Sequence, residues 1–155
     1  MRRTVLLLAG VLLSVVAMGS DSPREYDDKT TVVDPLVGKW RPLKVEVTDK
    51  TGGKIICNAP ETADVVFKDE RYIWGWGDGY SRLTSSRGIC TLDVSKSPGH
   101  LDLTDMTGPV AGVTRRCIYR IDGETLEIAS TTDHPANRPE SFEGHVTIYT
   151  LKRLK

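Results

Sequence analysis

The sequence predicts an all-β protein folded as a single antiparallel up-and-down β-barrel of about eight strands. Short runs that alternate apolar and polar residues follow one another from residue 36 to the C-terminus, separated by turn-forming residues. Within each run the apolar side chains share one face, as a sheet curled around one core requires. No stretch after the first twenty residues sustains a helical period over three turns.

Eight runs are expected to form the strands. In order they are KWRPLKVEV, ADVVF, RYIWGW, YSRLTSSRGICTLDV, HLDLT, VTRRCIYRI, TLEIA and GHVTIYTLKRLK. A polar turn at Asp69-Glu70 joins the second and third runs, and Asp122-Gly123 joins the sixth and seventh. An Asp-Gly pair between two alternating runs is a strong hairpin signal, because both residues tolerate a positive φ. The stretch ASTTDHPANRPESFEG is expected to be one long loop.

Strand alternation indicates which side chains point into the barrel. Cys117, Tyr119 and Ile121 share one face, and Arg116 and Arg120 share the other. The remaining inward sets are Tyr72, Trp74 and Trp76; Cys90, Leu92 and Val94; Leu101 and Leu103; and Leu126 and Ile128. A barrel of this size either packs shut or holds one small ligand.

The N-terminal residues predict export. Arg2 and Arg3 precede an apolar run from residue 4 to 16, and a small-x-small cleavage site follows at 17–19. A spanning helix needs about 20 apolar residues, so we expect cleavage near Gly19 and release into the periplasm or medium; an uncleaved anchor is the alternative. Residues 1–19 are then a signal peptide, 20–35 a flexible lead-in and 36–155 the barrel domain.

Charge and motifs exclude several functions. Removing residues 1–19 leaves 19 basic and 21 acidic residues, a net charge of −2, which offers no basic footprint for nucleic acid or for anionic lipid. His100, Asp102 and Asp105 lie close in sequence, but alternation turns His100 and Asp102 to the solvated face, and no metal or cofactor is predicted. No nucleophile, phosphate-loop or metalloprotease motif occurs, so we do not expect an enzyme.

Three cysteines, Cys57, Cys90 and Cys117, leave two readings open. In an oxidising compartment two of them can form a disulfide and the third is left over. Alternatively, Cys90 and Cys117 face the interior and serve there as small apolar side chains. No C-x-x-C spacing occurs, which argues against a zinc ribbon or a thioredoxin-type site.

Gly38-Lys39-Trp40 resembles the Gly-x-Trp signature of lipocalin-like barrels, and the closing LKR resembles their C-terminal basic residue. The order of motifs is similar to that of a family of uncharacterised exported domains expanded in planctomycete bacteria. The motifs are G-x-W, F-x-x-x-R-Y (Phe67, Arg71, Tyr72), S-K-x-P (Ser95, Lys96, Pro98), L-D-L-T (101–104), I-Y-x-I-D-G-x-T-L (118–126), R-P-x-x-F (Arg138, Pro139, Phe142) and L-K-R (151–153). The resemblance implies a lipocalin-like fold and no established activity. The cysteines and the WGWG segment depart from the family pattern.

The candidate site residues follow from these inferences. Trp40 is expected to plug one barrel end, with Arg153 over its ring, or Lys152 as second choice. Tyr72, Trp74, Trp76 and Tyr119 are the candidate ligand contacts inside the barrel. For Trp74 and Trp76, filling the core is the favoured interpretation, and an exposed position at the rim is a further alternative for Trp76. Arg138, Pro139 and Phe142 are expected to tie the long loop to the barrel end; a lid is the alternative.

Two functions are consistent with this sequence. The first is an exported binding module for a small apolar or amphipathic molecule. The second is a cell-envelope interaction or structural module whose barrel is filled and whose partner is another envelope protein.

Overall fold

The computed structural model of the chain describes residues 34–75 and 85–155, which form nine β-strands and no helix. The strands are β1 (Gly38–Thr48), β2 (Lys54–Asn58), β3 (Asp64–Lys68), β4 (Arg71–Gly75), β5 (Ser85–Asp93), β6 (Gly99–Asp105), β7 (Thr114–Asp122), β8 (Thr125–Thr131) and β9 (Val146–Arg153). The predicted signal peptide, nearly all of the predicted lead-in and Trp76 lie outside the described residues. Those residues contain no helix long and apolar enough to span a bilayer.

The strands form a closed barrel in which every pairing is antiparallel. Their order is β2-β1-β3-β4-β5-β6-β7-β8-β9, and β1 also pairs with β9. Eight strands, β1 and β3 to β9, therefore make the wall, and β2 is an additional strand. The predicted all-β barrel of about eight strands is confirmed, and it is consistent with a lipocalin-like barrel.

Strand β1 has three partners because its two halves diverge. Gly38 to Trp40 pair with β3, and Lys44 to Thr48 pair with β2. The other edge pairs with β9, with a register shift between Pro42 and Lys44. Proline lacks a backbone donor and is tolerated at such an irregularity. Strand β2 is absent from the sequence prediction, because KIICN has no alternation of apolar and polar residues.

The interior is filled by one cluster of buried side chains. It contains Leu36, Trp40, Val65, Phe67, Tyr72, Trp74, Cys90, Leu101, Leu103, Cys117, Tyr119, Leu126, Ile128 and Leu151. The alternation is visible on β4, where Trp74 is 2% exposed and its neighbour Ile73 is 51% exposed. Among the described residues the predicted inward faces are confirmed, with one correction. Val94 lies in the turn after β5 and is 46% exposed, because the strand ends at Asp93.

The connections define the two ends of the barrel. The short β3–β4, β5–β6 and β7–β8 connections lie at the end where β1 begins, which we call the Trp40 end. The β6–β7 loop (106–113) and the β8–β9 loop (132–145) lie at the opposite end, which we call the mouth. Residues 76–84, between β4 and β5, lie outside the described residues.

Trp40 closes its end of the barrel. Its side chain is fully buried, and its indole N–H donates a 2.8 Å hydrogen bond to the Leu36 carbonyl. The guanidinium carbon of Arg153 lies 4.1 Å from the Trp40 ring centroid. The same guanidinium donates to the carbonyls of Val37 and Pro35 at 2.8 and 2.7 Å. Arg153, rather than Lys152, thus joins the Trp40 ring to the segment that precedes β1.

The long β8–β9 loop packs on the outer wall. Arg138 donates to the carbonyl of Cys117 on β7 and pairs with Asp102 at 2.5 Å. Phe142 lies under the Arg120 guanidinium, 4.4 Å from ring centroid to guanidinium carbon. Phe142 was expected against the barrel end, but it lies against the outer face of β7. The reason is that β7 offers two contacts to the loop: the Arg120 guanidinium for the Phe142 ring and the Cys117 carbonyl for Arg138.

Candidate ligand-binding site

The site begins with a row of three residues across three neighbouring strands. Tyr72 on β4 is paired with Gly88 on β5, and Gly88 is paired with Asp105 on β6. A Cβ on Gly88 would lie 2.8 Å from the Tyr72 ring and 1.9 Å from the Thr104 carbonyl oxygen. The absence of a side chain therefore lets the Tyr72 ring cross β5, and its hydroxyl donates a 2.6 Å hydrogen bond to Asp105.

Asp105 also forms an ion pair with Arg115 on β7. The Arg115 Nη2 atom lies 3.2 Å from one Asp105 carboxylate oxygen and 3.4 Å from the other. Asp105 is 1% exposed, and a carboxylate so deeply buried requires partners of this kind. Burial and the hydrogen bond to Asp105 raise the pKa of Tyr72 above its ordinary value, so Tyr72 stays a neutral hydrogen-bond donor.

Sequence reasoning missed this pair, although alternation contained the signal. Asp105 follows Leu101 and Leu103 at inward positions, and Arg115 precedes Cys117 and Tyr119 at inward positions. The sequence prediction considered Asp105 only as a possible metal ligand beside His100 and Asp102, the two residues that alternation turns to the solvated face. Among the described residues, no group of three His, Cys, Asp or Glu side chains is placed to hold a metal ion.

A cavity of about 300 Å³ opens above the pair at the mouth. Its apolar lining consists of Val110 and Val113 from the β6–β7 loop and Pro135 from the β8–β9 loop; Ser86, Asp105 and Arg115 complete it. The arrangement combines apolar walls with a charged floor, which is typical of small-molecule sites.

Backbone hydrogen bonds fix both loops that form the cavity walls. The Asp105 N–H donates to the Val113 carbonyl at 3.1 Å, and the Gly112 N–H donates to the Asp105 carbonyl at 2.7 Å. The Arg116 N–H donates to the Pro135 carbonyl at 2.8 Å. The cavity walls are therefore tied to β6 and β7, the strands that carry the ion pair.

A larger groove, about 500 Å³, lies at the β3–β4 hairpin. Its lining includes Lys68, Arg71 and Ile73, which are exposed surface residues of the hairpin. No buried charged group lies at its base, since Tyr72 is the one buried residue in its lining. We therefore regard the mouth cavity as the better candidate.

The aromatic residues predicted to contact a ligand lie in the packed interior. Tyr72, Trp74 and Tyr119 are 1, 2 and 6% exposed. The Trp74 ring meets Tyr149 edge to face, with 4.9 Å between centroids. None of these side chains lines the mouth cavity, but Tyr72 supports it through Asp105. Trp76, the fourth predicted contact, lies outside the described residues.

The three cysteines are free thiols. Cys90 pairs with Leu103 and Cys117 pairs with Leu101, so β6 lies between them. Strands in a sheet are about 4.8 Å apart, which separates the two Cα atoms by roughly 10 Å, beyond the reach of a disulfide. Burial raises the pKa of Cys90 to about 11 and that of Cys117 to about 12, which argues against thiolate chemistry at either position.

Comparisons with known proteins add no relative to this description. No protein-family model matches the chain, and no curated protein and no solved structure matches it significantly. The geometry of the mouth cavity is therefore the basis on which a function can be proposed.

Proposed function

We propose that this protein is a binding module that takes a small amphipathic molecule at the mouth of its barrel. The observation that carries the proposal is the cavity itself: Val110, Val113 and Pro135 form its apolar walls, and the Asp105–Arg115 ion pair lies at its floor. The walls suit a short hydrocarbon chain and the floor suits a polar head group.

The packing below the floor supports placing the ligand at the mouth. Leu101 and Leu103, which precede Asp105 on the inward face of β6, are 0 and 1% exposed. A ligand that entered deeper would have to displace these side chains, which occupy a close-packed core. The volume of about 300 Å³ is at the lower limit for ligand pockets, which favours a small ligand.

Calorimetric titration with eight-carbon amphiphiles of different head groups tests the proposal. We expect at least one to bind with one-to-one stoichiometry. Val110→Glu should weaken that binding by about tenfold or more, since it places a charge in an apolar wall. Val94→Glu is the matched control, because Val110 and Val94 are 49 and 46% exposed and Val94 lies at the Trp40 end. Absence of binding by every probe would refute the proposal.

We also propose that the protein is exported and belongs to the planctomycete family that its motifs resemble. The support is in the sequence: the Arg2-Arg3 start, the apolar run and the small residues before Ser20. Expression with the natural N-terminus followed by mass measurement tests export. A processed chain beginning near Ser20 is the expected result, and an intact N-terminus would refute it.

One observation favours the alternative, a module that contacts another envelope protein. Ile55 and Ile56 on β2 are 65 and 56% exposed, and within the described residues β2 pairs with β1 alone. A photo-crosslinking residue at position 55 should then capture one partner in an envelope fraction, and the same residue at position 73 should not. Equal capture at both positions would count against this alternative.

A further inference from the structure

We infer that the ligand of the mouth cavity carries an anionic head group, and that Arg115 determines this specificity by binding it. The inference rests on the proposed function and specifies its ligand. It follows from two differences between the charged residues at the cavity floor: Asp105 is buried and Arg115 is partly exposed, and Asp105 has two partners within the barrel.

The charge that a ligand meets at the floor is positive. Asp105 and Arg115 are the two charged residues among the six that line the cavity. The Asp105 side chain is 1% exposed, whereas the Arg115 side chain is 26% exposed. The carboxylate is thus covered, and the guanidinium is the charged group that remains accessible.

The Arg115 guanidinium has donors to spare. Both of its contacts with Asp105 use the Nη2 atom. Beyond Asp105 and the Tyr72 hydroxyl, Arg115 has no further side-chain hydrogen-bond or ion-pair partner among the described residues. A guanidinium carries five N–H donors. The Arg115 Nε–H is buried and Nη2 contacts Asp105, so the Nη1 group is left to donate to a second acceptor. Carboxylate and sulfate oxygens fit this requirement, since they accept paired N–H groups from arginine.

Asp105 acts as a positioning residue. Its carboxylate accepts from the Tyr72 hydroxyl on β4 and pairs with Arg115 on β7. These bonds hold the guanidinium in one orientation before a ligand arrives, which reduces the entropy lost on binding. A cationic head group would face the exposed guanidinium, and a neutral head group would gain no charge-assisted hydrogen bond.

Four probes that share an eight-carbon alkyl chain distinguish an anionic, a neutral and a cationic head group. They are octanoate, octyl sulfate, 1-octanol and octylamine, each titrated calorimetrically into the full-length protein. We expect octanoate and octyl sulfate to bind roughly tenfold or more tightly than 1-octanol, the size of a charge-assisted hydrogen bond at a partly exposed site. Octylamine, protonated at pH 7, should bind most weakly. The two anions distinguish a carboxylate requirement from a general anion requirement.

Variants assign the preference to one residue. Arg115→Gln should abolish the advantage of the anions over 1-octanol, and Arg115→Lys should retain part of it. Arg41→Gln removes an exposed arginine from the wall and should leave the preference unchanged. Arg115→Gln leaves Asp105 buried without its ion-pair partner, so circular dichroism is used to check that the variant folds. The comparison of the four probes on the unaltered protein tests the anion preference even if the variant does not fold.

The outcomes are distinguishable. Equal affinity for all four probes, or tighter binding of octylamine, overturns the inference and leaves the proposed function standing. Binding by none of the probes overturns both. An anion preference that survives Arg115→Gln in a folded protein refutes the role given to Arg115.

Discussion

The hydroxyl of Tyr72 donates a 2.6 Å hydrogen bond to the carboxylate of Asp105, although the two residues lie on strands that are not neighbours. Gly88 makes this possible, because it occupies the shared register position on the strand between them. The bond links β4 to β6 inside the barrel, and Asp105 extends the link to Arg115 on β7. The packed core and the mouth cavity therefore meet at this carboxylate.

Tyr72→Phe tests the stabilising role of that bond. We expect a loss of about 1–3 kcal/mol in the free energy of unfolding, because a buried carboxylate loses a donor. Urea unfolding followed by tryptophan fluorescence measures it. Tyr119→Phe is the control: its ring is also buried, and its hydroxyl makes no hydrogen bond with the described residues. Similar losses in the two variants would contradict the account.

Gly88→Ala tests the close approach of the Tyr72 ring to the backbone. The added Cβ would lie 1.9 Å from the Thr104 carbonyl oxygen, so β5 and β6 must separate locally, at a cost of about 1–3 kcal/mol or more. Gly53→Ala meets only the end of the Asp49 side chain in an exposed turn, and should cost much less. A thermal midpoint for Gly88→Ala equal to that of the unaltered protein would contradict the account.

Arg153→Ala tests the closure of the Trp40 end. The substitution removes the cation from the Trp40 ring together with hydrogen bonds to two carbonyls. We expect a loss of about 1–3 kcal/mol in unfolding free energy. The neighbouring Lys152 is exposed, so Lys152→Ala should cost at most about 0.5 kcal/mol. Chemical unfolding of both variants checks the prediction. A larger loss of unfolding free energy for Lys152→Ala would show that Lys152, and not Arg153, closes the Trp40 end.

Thiol labelling tests the placement of the three cysteines. Cys57 is exposed on β2, and Cys90 and Cys117 are buried. An aromatic disulfide reagent should therefore react rapidly with one thiol in the folded protein and with three in denaturant. Cys57→Ser should abolish the rapid reaction. Rapid reaction of two or three thiols in the native state would show that the barrel wall at β5 and β7 is open.

Alkaline pH should destabilise the protein through its buried thiols. Burial raises the pKa of Cys90 from 9.0 to about 11 and that of Cys117 to about 12. Above pH 9 the unfolded chain releases these protons while the folded chain retains them, so the unfolded state binds fewer protons and stability falls as pH rises. The stabilisation is complete below pH 9 and is lost as the pH rises towards 11 and 12.

Urea titrations between pH 8 and 11 under reducing conditions measure this fall. Each thiol contributes a slope of at most about 1.4 kcal/mol per pH unit. The double variant Cys90→Ala, Cys117→Ala should show a shallower slope, although the smaller side chains also lower its stability at pH 8. Cys57→Ala serves as the exposed control. Equal slopes for the double variant and the unaltered protein would contradict the prediction.

Alternation was enough to predict the barrel and the inward faces of its described strands, because most strands of the wall place alternate side chains in the buried core. It failed at β2, where Ile55 and Ile56 are both exposed and therefore leave no alternating pattern. The ends of strands were also inaccurate: Val94 continues the pattern of β5, but the chain turns before it.

The candidate site was harder to predict than the wall. Its floor joins Asp105 and Arg115, which lie on strands connected through a loop of eight residues, 106–113. A charged residue at an inward position contradicts the rule that the interior is apolar, and only the register shows that the two charges meet. The positions of Val110 and Pro135 depend on backbone hydrogen bonds to loop carbonyls, from Val113 and Arg116, for which the sequence has no periodic signal.

The most direct test of the account is a two-dimensional amide NMR titration of the protein with octanoate. We predict that the amides of Val110, Val113 and Arg115 shift together and saturate with one dissociation constant. The amides of Val66 and Ile73, which line the β3–β4 groove, should stay in place. Saturable shifts confined to the groove would contradict the claim that the mouth cavity is the binding site, and no saturable shift with octanoate would contradict its specificity for an anionic head group.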